Sequence, residues 1–166
     1  MIFLNMKLLF PISLIVIVAI ITACNPSDEC REKTSVNMQI GFYSKTVNPS
    51  TKKIQISSQA IDSIWVRGVG MDSLVYNNKK NEKLILIPLN STADHSKYIV
   101  QFNEITDTIS VFHQNNEQYY LSLECGCIVA HTIDEVVSTR HYIDSVSIVY
   151  PEINNTNIEN VQIFHF

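Results

Sequence analysis

The sequence of 166 residues is poor in glycine, with only 4, and it lacks the short motifs that mark common catalytic sites. It contains no G-x-S-x-G serine-nucleophile motif and no HExxH or HxH arrangement. Its G-x-G stretch, residues 68–70, precedes no helical pattern, whereas a phosphate-binding loop leads into a helix. The sequence therefore predicts a non-enzymatic protein without a cofactor or a metal, and a hydrolase is the least favoured class.

Positive charge is also scarce. The chain has 12 lysines and arginines against 16 acidic residues, a formal net charge of −4, and the charges are scattered along it. A protein that binds nucleic acid or anionic headgroups usually concentrates its basic residues in a patch or a stripe. We therefore exclude nucleic acid as a partner and interpret the charged residues as an ordinary solvated surface.

Long apolar runs are absent except at the N-terminus. Lys7 is followed by an apolar run from Leu8 to Ile21, which as a helix extends for about 21 Å. That length is short for a membrane-spanning helix and is typical of the core of a signal peptide. The run ends in Ile21-Thr22-Ala23-Cys24, which resembles a bacterial lipobox. We expect Cys24 to become the lipidated N-terminus, because its thiol carries the diacylglycerol and the acyl chains then anchor the protein.

These features predict three segments and a location. Residues 1–23 are the lipoprotein signal peptide, residues 24–33 are the lipidated cysteine with a short tether, and residues 34–166 form a single domain. Residue 25 is Asn rather than Asp, so no signal for inner-membrane retention is evident, and we expect an outer-membrane protein whose first partner is the lipid bilayer. Ser27-Asp28-Glu29 resembles the acidic export signal of surface lipoproteins in Bacteroidota. Both the periplasmic face and the cell surface remain open.

The remaining sequence alternates between apolar and polar residues with a period of two, which is typical of β strands. Met38, Ile40 and Phe42 share one face, and residues 84–89 are apolar on both faces, which predicts a central buried strand. About eight or nine such segments are separated by Asn-rich turns. The pattern predicts an all-β fold, an antiparallel β-sandwich that is immunoglobulin-like or similar, with a small β-barrel as the alternative. Single helical turns are conceivable only at residues 59–62 and 132–137.

Several phrases together resemble one known family. They are Cys30 soon after Cys24, LILIPLNS (84–91), Asp107-Thr108-Ile109, Leu123-Glu124-Cys125-Gly126, Ile143-Asp144-Ser145-Val146 and Asn160-Val161-Gln162-Ile163. The chain is similar in these to the DUF6452 family of small Bacteroidota lipoproteins of unknown function. The resemblance implies an outer-membrane lipoprotein with a compact β domain and carries no catalytic residue with it. Cys127 is a departure, since the family phrase needs only the first cysteine.

The stretch LSLECGCIVAH, residues 121–131, holds two cysteines one residue apart. As a strand it would project Cys125 and Cys127 to the same apolar face, too far apart along the chain to pair with each other. Since Cys24 carries the lipid, one of the two is expected to form a disulfide with Cys30. Cys125 is the preferred partner and Cys127 the alternative. A bridge from Cys30 to Cys125 closes a loop of about 95 residues, which the chain-entropy model values at roughly 4–5 kcal/mol.

Metal binding is a weak alternative for this stretch. It would need Cys125 and Cys127 together with His113 and His131, and structural zinc sites usually show two closely spaced ligand pairs rather than one. We expect every histidine to lie at the surface or at a strand edge. Of Tyr119 and Tyr120, which project to opposite faces of a strand, we expect one in the core and one exposed.

The sequence as a whole predicts an accessory or protein-interaction module of the cell envelope, whose partner is another envelope protein. A glycan- or small-ligand-binding lipoprotein is the alternative. An interaction module would offer an open strand edge or a flat apolar patch. A glycan-binding protein would offer a cleft lined by Trp or Tyr with amides around it, and a hydrolase would offer converging acids or a Ser/His pair.

Overall fold

The computed structural model describes Cys30 and residues 33–165, and within these it contains eleven β strands and no helix, so none could span a membrane. The predicted signal peptide and Cys24 lie outside the described residues. The strands are β1 (Asn37–Val47), β2 (Ile54–Ser58), β3 (Ile64–Gly68), β4 (Leu74–Lys79), β5 (Leu84–Pro88), β6 (His95–Phe102), β7 (Ile105–Ser122), β8 (Gly126–Ser138), β9 (Ile143–Ile148), β10 (Glu152–Ile153) and β11 (Val161–His165). The helical turns considered at residues 59–62 and 132–137 do not form, and the second segment lies in β8.

Five strands form the first sheet, in the order β2-β1-β11-β9, with β5 also paired to β1. Strand β1 is long enough to pair with β5 through residues 37–41 and with β2 through residues 43–47 on the same side. Its predicted alternation is present, since Met38, Ile40 and Phe42 are fully buried. Strands β1 and β11 run parallel, with Ile40 opposite Val161. This pair is the one departure from the predicted antiparallel arrangement among the strand pairs described.

The second sheet has six strands in the order β10-β8-β7-β6-β3-β4, all antiparallel. Strand β6 buries Tyr98, Val100 and Phe102 on one face, as its alternation predicted. Phe102 packs edge-on against Phe42 of the first sheet, with the ring centroids 5.7 Å apart. The core therefore lies between two packed sheets, and the prediction of an all-β sandwich is confirmed.

Strand β5 lies at an edge of the first sheet, where the sequence predicted a central position. Its core face buries Ile85 and Ile87, while Leu84 and Leu86 are half-buried on the other face. The backbone N–H of Leu86 donates to the hydroxyl of Tyr76 in β4, at 2.8 Å. An apolar strand can therefore stand at an edge here because a side chain from the second sheet covers its free hydrogen-bonding side.

A buried carboxylate fixes the corner where the chain passes from the second sheet to the first. Asp107, at the start of β7, accepts hydrogen bonds from the hydroxyl of Thr139 at 2.6 Å and from the backbone N–H groups of His141, Tyr142 and Ile143 at 2.9, 2.8 and 3.0 Å. Burial raises the pKa of Asp107, but these hydrogen bonds outweigh burial and leave the pKa at about 2. The Asp107 cluster therefore sets the entry of the chain into β9.

A buried amide ties β1 to the chain that precedes β11. The side-chain oxygen of Asn160 accepts from the backbone N–H of Gln39 at 2.9 Å. Its amide nitrogen donates to the carbonyl oxygens of Tyr150 at 3.0 Å and Glu152 at 2.9 Å. One side chain thus satisfies buried backbone groups from two separate segments, which holds β11 beside β1.

Candidate functional site

One part of the second sheet extends beyond its neighbours. Strand β6 begins at His95, opposite Phe112, and β10 reaches only residues 131 and 132 of β8. Within the described residues, the ends of β7 and β8 between residues 116 and 130 therefore pair with each other alone. We call residues 116–130 the projecting hairpin.

The turn of this hairpin occupies the middle of LSLECGCIVAH. Strand β7 ends at Ser122, residues 123–125 form the turn, and β8 begins at Gly126. The Ser122 hydroxyl accepts the backbone N–H of Cys125 at 3.1 Å. Gly126 has a φ of +68°, a conformation that glycine adopts without the strain that a side chain would bring. The interpretation of Leu121 to Val129 as one core strand was wrong, because the chain reverses within it.

A disulfide joins the turn to the N-terminal segment. Cys30 and Cys125 are bonded, with their Cα atoms 4.6 Å apart, and Cys127 is a free, exposed thiol. Of the two pairings that the sequence left open, the structure contains the one through Cys125. Cys127 lies opposite Tyr120 on an exposed part of the hairpin, not on the core face where the strand interpretation placed it.

The projecting hairpin exposes three large apolar side chains at and near its turn. Tyr119 is 57% exposed, Tyr120 62% and Leu123 90%. The prediction that one tyrosine enters the core was wrong, because both are more than half exposed. We call these three residues the apolar tip. Side chains of this size and exposure, grouped around one turn, are a feature of interaction surfaces.

Two histidines are buried next to each other where the projecting hairpin joins the sheet. The rings of His113 and His131 meet edge to face, with centroids 5.2 Å apart. Ser96 contacts Nε2 of His113 at 3.0 Å, and Asn115 contacts Nδ1 of His131 at 2.7 Å. Burial lowers the pKa of His113, and burial with the neighbouring His113 lowers the pKa of His131 to about 4. The expectation of surface positions was therefore wrong for both.

Ser96 and His113 make the Ser/His contact that a hydrolase would need, beside a shallow pocket of about 200 Å³. Ser96 is itself buried, and its oxygen already accepts the backbone N–H of Asn90 at 2.8 Å. Among the described residues, Nδ1 of His113 has no hydrogen-bond partner, whereas a catalytic histidine is oriented by a third group at that nitrogen. The arrangement therefore supports a structural hydrogen bond more than a nucleophile.

The four side chains considered for a metal do not converge. His113 and His131 lie in the sheet, while Cys125 is bonded to Cys30 and Cys127 is exposed on the hairpin. In the part of the chain that the structure describes, no group of three or more His, Cys, Asp or Glu side chains is placed to hold a metal ion.

The outer face of the second sheet has a depression of about 170 Å³ around Trp65. Trp65 and Arg67 come from β3, Gln101 from β6 and Thr106 from β7. An aromatic ring with an amide, a guanidinium and a hydroxyl around it is chemically suited to a sugar or another small polar ligand.

The sequence comparison identifies the family. The sequence profile of a family of unknown function, DUF6452, matches residues 63–165, which is more than half of the chain. The chain belongs to the DUF6452 family. Neither the curated proteins nor the solved structures contain a match to it.

The phrases that carry the DUF6452 resemblance coincide with structural contacts. Asp107 and Ile143 meet in the buried carboxylate cluster, and Asn160 is the buried amide beside β1. Cys125 forms the disulfide, and Asn90 accepts the backbone N–H of Thr92 at 2.9 Å in the turn after β5. In this DUF6452 chain the phrases therefore specify architecture. Cys30, the partner of Cys125, lies before the matched region.

Sequence reasoning missed the buried histidine pair, although part of the signal was present. His113 lies an even number of residues along β7 from Ile109 and Val111, which are fully buried. His131 likewise lies two residues along β8 from the buried Ile133. Continuing the alternation would have placed both histidines on the core face. Their contact with each other depends on the register between β7 and β8, which no short motif encodes.

Proposed function

We propose that this protein is a lipoprotein anchored in the outer membrane through Cys24, and that its sandwich domain is a non-enzymatic interaction module of the cell envelope. The lipobox Ile21-Thr22-Ala23-Cys24 after the apolar run supports the anchor. The periplasmic face and the cell surface are both compatible with this proposal.

The observation that carries the proposal is the disulfide between Cys30 and Cys125. Cys30 follows Cys24 by only six positions, a reach of about 20 Å when extended. A flexible tether would let the domain move away from the bilayer, whereas this link fixes the end of the tether to the second sheet. The domain of an acylated chain is therefore held close to the membrane, where other envelope proteins are found.

Strand β2 offers a surface for such a partner. It is an edge of the first sheet, all five of its residues are exposed, and Ile54 and Ile56 are more than half exposed. Val47, opposite Ile54 on β1, is 61% exposed. An open edge with apolar side chains suits a partner that adds a strand, because the free N–H and C=O groups and the side chains are both available.

Metabolic labelling with an alkyne-tagged fatty acid tests the anchor. We expect the wild-type protein and the Cys127→Ser variant to be labelled and recovered with the outer membrane. We expect the Cys24→Ser variant to carry no label. Label on Cys24→Ser, or none on the wild type, would contradict the proposal.

Site-specific cross-linking tests the partner surface. With a photo-reactive residue at position 56, we expect a cross-linked species of defined mass in intact cells, and we expect Ile54→Lys to abolish it. The same reactive residue at position 134, an exposed site on β8, is the matched control. Equal cross-linking at both positions would contradict a role for β2.

A second candidate, binding of a glycan or a small polar ligand, is favoured by the depression around Trp65. Trp65 is the only tryptophan in the chain, so its fluorescence reports on this site directly. Titration with soluble oligosaccharides should shift the Trp65 emission in the wild type. The shift should be smaller in Gln101→Ala. If the emission is unchanged across an oligosaccharide panel that includes envelope glycans, this candidate is wrong.

A further inference from the structure

We propose that the apolar tip of the projecting hairpin is a second membrane contact, which inserts into the headgroup region beside the lipid anchor. The inference deepens the proposed function and rests on acylation of Cys24. It assigns to Tyr119, Tyr120 and Leu123 a role that folding alone does not give them, because none of the three is buried in the sandwich.

The position of the tip follows from the disulfide. Leu123 is two residues from Cys125, and Cys125 is bonded to Cys30, which follows the lipidated residue by six. The chain between Cys24 and Cys30 therefore confines Cys30 to within about 20 Å of the anchor. The Cα atom of Cys125 lies 4.6 Å from that of Cys30, so the turn begins within about 25 Å of the anchor, a distance shorter than the thickness of the bilayer. Among the described apolar surfaces, the tip is the one that the covalent structure brings to the bilayer.

The side chains at the tip suit an interface. Tyrosine is enriched at membrane–water boundaries, where the ring lies among the headgroups and the hydroxyl stays hydrated. Leu123 lies at the turn and is 90% exposed, so its transfer from water into the bilayer interface would lower the free energy. Residues 116–130 contain no lysine or arginine, so attraction to anionic lipid contributes little. The contact should therefore form on zwitterionic vesicles and persist at high salt.

The shape of the tip favours a bilayer over a protein. Leu123 lies at the apex of a turn, and Tyr119 and Tyr120 lie behind it on opposite faces of the hairpin. A protein that covered all three would need to enclose the hairpin from both sides. Headgroups and acyl chains rearrange around such a protrusion without any complementary surface.

Quenching by brominated lipids measures the contact in the lipidated full-length mature protein, reconstituted in phosphatidylcholine vesicles. Leu123→Trp in a Trp65→Phe background places a single fluorophore at the tip. Ile54→Trp in the same background is the matched control, since position 54 is also exposed and lies on β2 of the other sheet. We expect about a two-fold loss of emission at position 123, as for an interfacial residue, and little change at position 54.

The outcomes separate this inference from the proposed function. A protein without acyl chains, or one that does not enter the vesicles, contradicts the anchor itself. An anchored protein whose emission at position 123 is unquenched overturns the tip contact, and so does equal quenching at both positions. A tip that is shielded from solvent in native membranes but not in vesicles would also overturn the tip contact, in favour of a protein partner. If Trp65→Phe fails to fold, both variants are measured with Trp65 retained, against the wild-type signal.

Discussion

The sandwich body and the projecting hairpin are built by different means. The body is held by buried side chains from two sheets and by polar groups that satisfy buried backbone, namely Asp107 and Asn160. The projecting hairpin pairs with itself, exposes three large apolar side chains and is connected to the N-terminal segment by one covalent bond. Packing and buried hydrogen bonds therefore stabilise the first region, whereas a covalent cross-link fixes the position of the second relative to the N-terminal segment.

This separation has a physical reason. A disulfide acts chiefly by restricting the unfolded chain and requires little burial, whereas a buried carboxylate is stable only when its hydrogen bonds are complete. The cross-link can therefore fix a protruding element that packing cannot fix. Substitutions in the two regions should consequently have effects of different kinds.

The largest effect on stability is expected in the body, from Asp107→Ala. The change leaves three backbone N–H groups and the Thr139 hydroxyl without their acceptor at a buried corner. We expect the free energy of unfolding to fall by about 4 kcal/mol, measured by urea denaturation followed through Trp65 fluorescence. The control is Asp134→Ala, an exposed carboxylate whose hydrogen-bond donor among the described residues is Gln114, with a loss below about 1 kcal/mol. Similar losses for the two variants would mean that burial of the carboxylate at Asp107 contributes no particular stability.

The disulfide should contribute somewhat less to global stability. Replacing Cys30 and Cys125 together by serine removes a cross-link between residues 95 apart, and we expect a loss of about 3 kcal/mol. The loss stays below the chain-entropy value because the folded hairpin and N-terminal segment also gain freedom. Cys127→Ser, with its exposed thiol, should be neutral and is the control. If Cys127→Ser proves the more destabilising in denaturation, the assigned pairing is wrong.

Acid should weaken the sandwich body through its histidines first. The pKa of His131 is lowered to about 4, so the folded state binds fewer protons than the unfolded state below pH 6.5. Stability is therefore lost as pH falls, by about 2 kcal/mol between pH 7 and pH 5, and His113 acts in the same direction. The lowered pKa of Asp107, about 2, adds a further loss only between about pH 4 and pH 2. Denaturation at several pH values should show a shallower slope above pH 5 in His131→Gln, and an unchanged slope would contradict the effect of burial.

The smallest effect on stability should come from the apolar tip. Replacing Tyr119, Tyr120 and Leu123 together by serine removes exposed side chains, so we expect a change within about 0.5 kcal/mol. In the same variant the tip should no longer contact the bilayer, while the acylated protein stays in the vesicles. A large drop in the melting temperature would mean that the tip belongs to the body, and the division between the two regions would then be wrong.

Much of the sandwich body was predictable because burial imposes a period of two. The alternation in β1 and β6 gave the core face directly, as Met38 and Val100 illustrate. The placement of β5 was not predictable from pattern, because a strand that is apolar on both faces can lie at the centre or at an edge covered by a side chain such as Tyr76. The parallel pairing of β1 with β11 joins the first and the last of the described strands, and no local pattern encodes it.

The projecting hairpin was harder to predict. The alternation that is typical of a strand continues through Leu121 to Val129. In the structure Gly126 adopts a positive φ and the chain reverses, so this stretch contains a turn. With Cys24 assigned to the lipid, the remaining cysteines predicted a disulfide at Cys30 but did not determine its partner. The choice between Cys125 and Cys127 required the geometry of the turn, since in a continuous strand both side chains would project to the same face.

The most direct test of the account is non-reducing mass spectrometry of the protein purified from outer membranes. Trypsin releases residues 24–31 as one peptide, which contains both Cys24 and Cys30. We expect this peptide to begin at an acylated Cys24 and to be linked through Cys30 to the peptide of residues 98–140, which contains both Cys125 and Cys127. Fragment ions of the linked pair should place the bond on Cys125 and leave Cys127 free. An N-terminus elsewhere, an unacylated Cys24, or a link from Cys30 to Cys127 would contradict it.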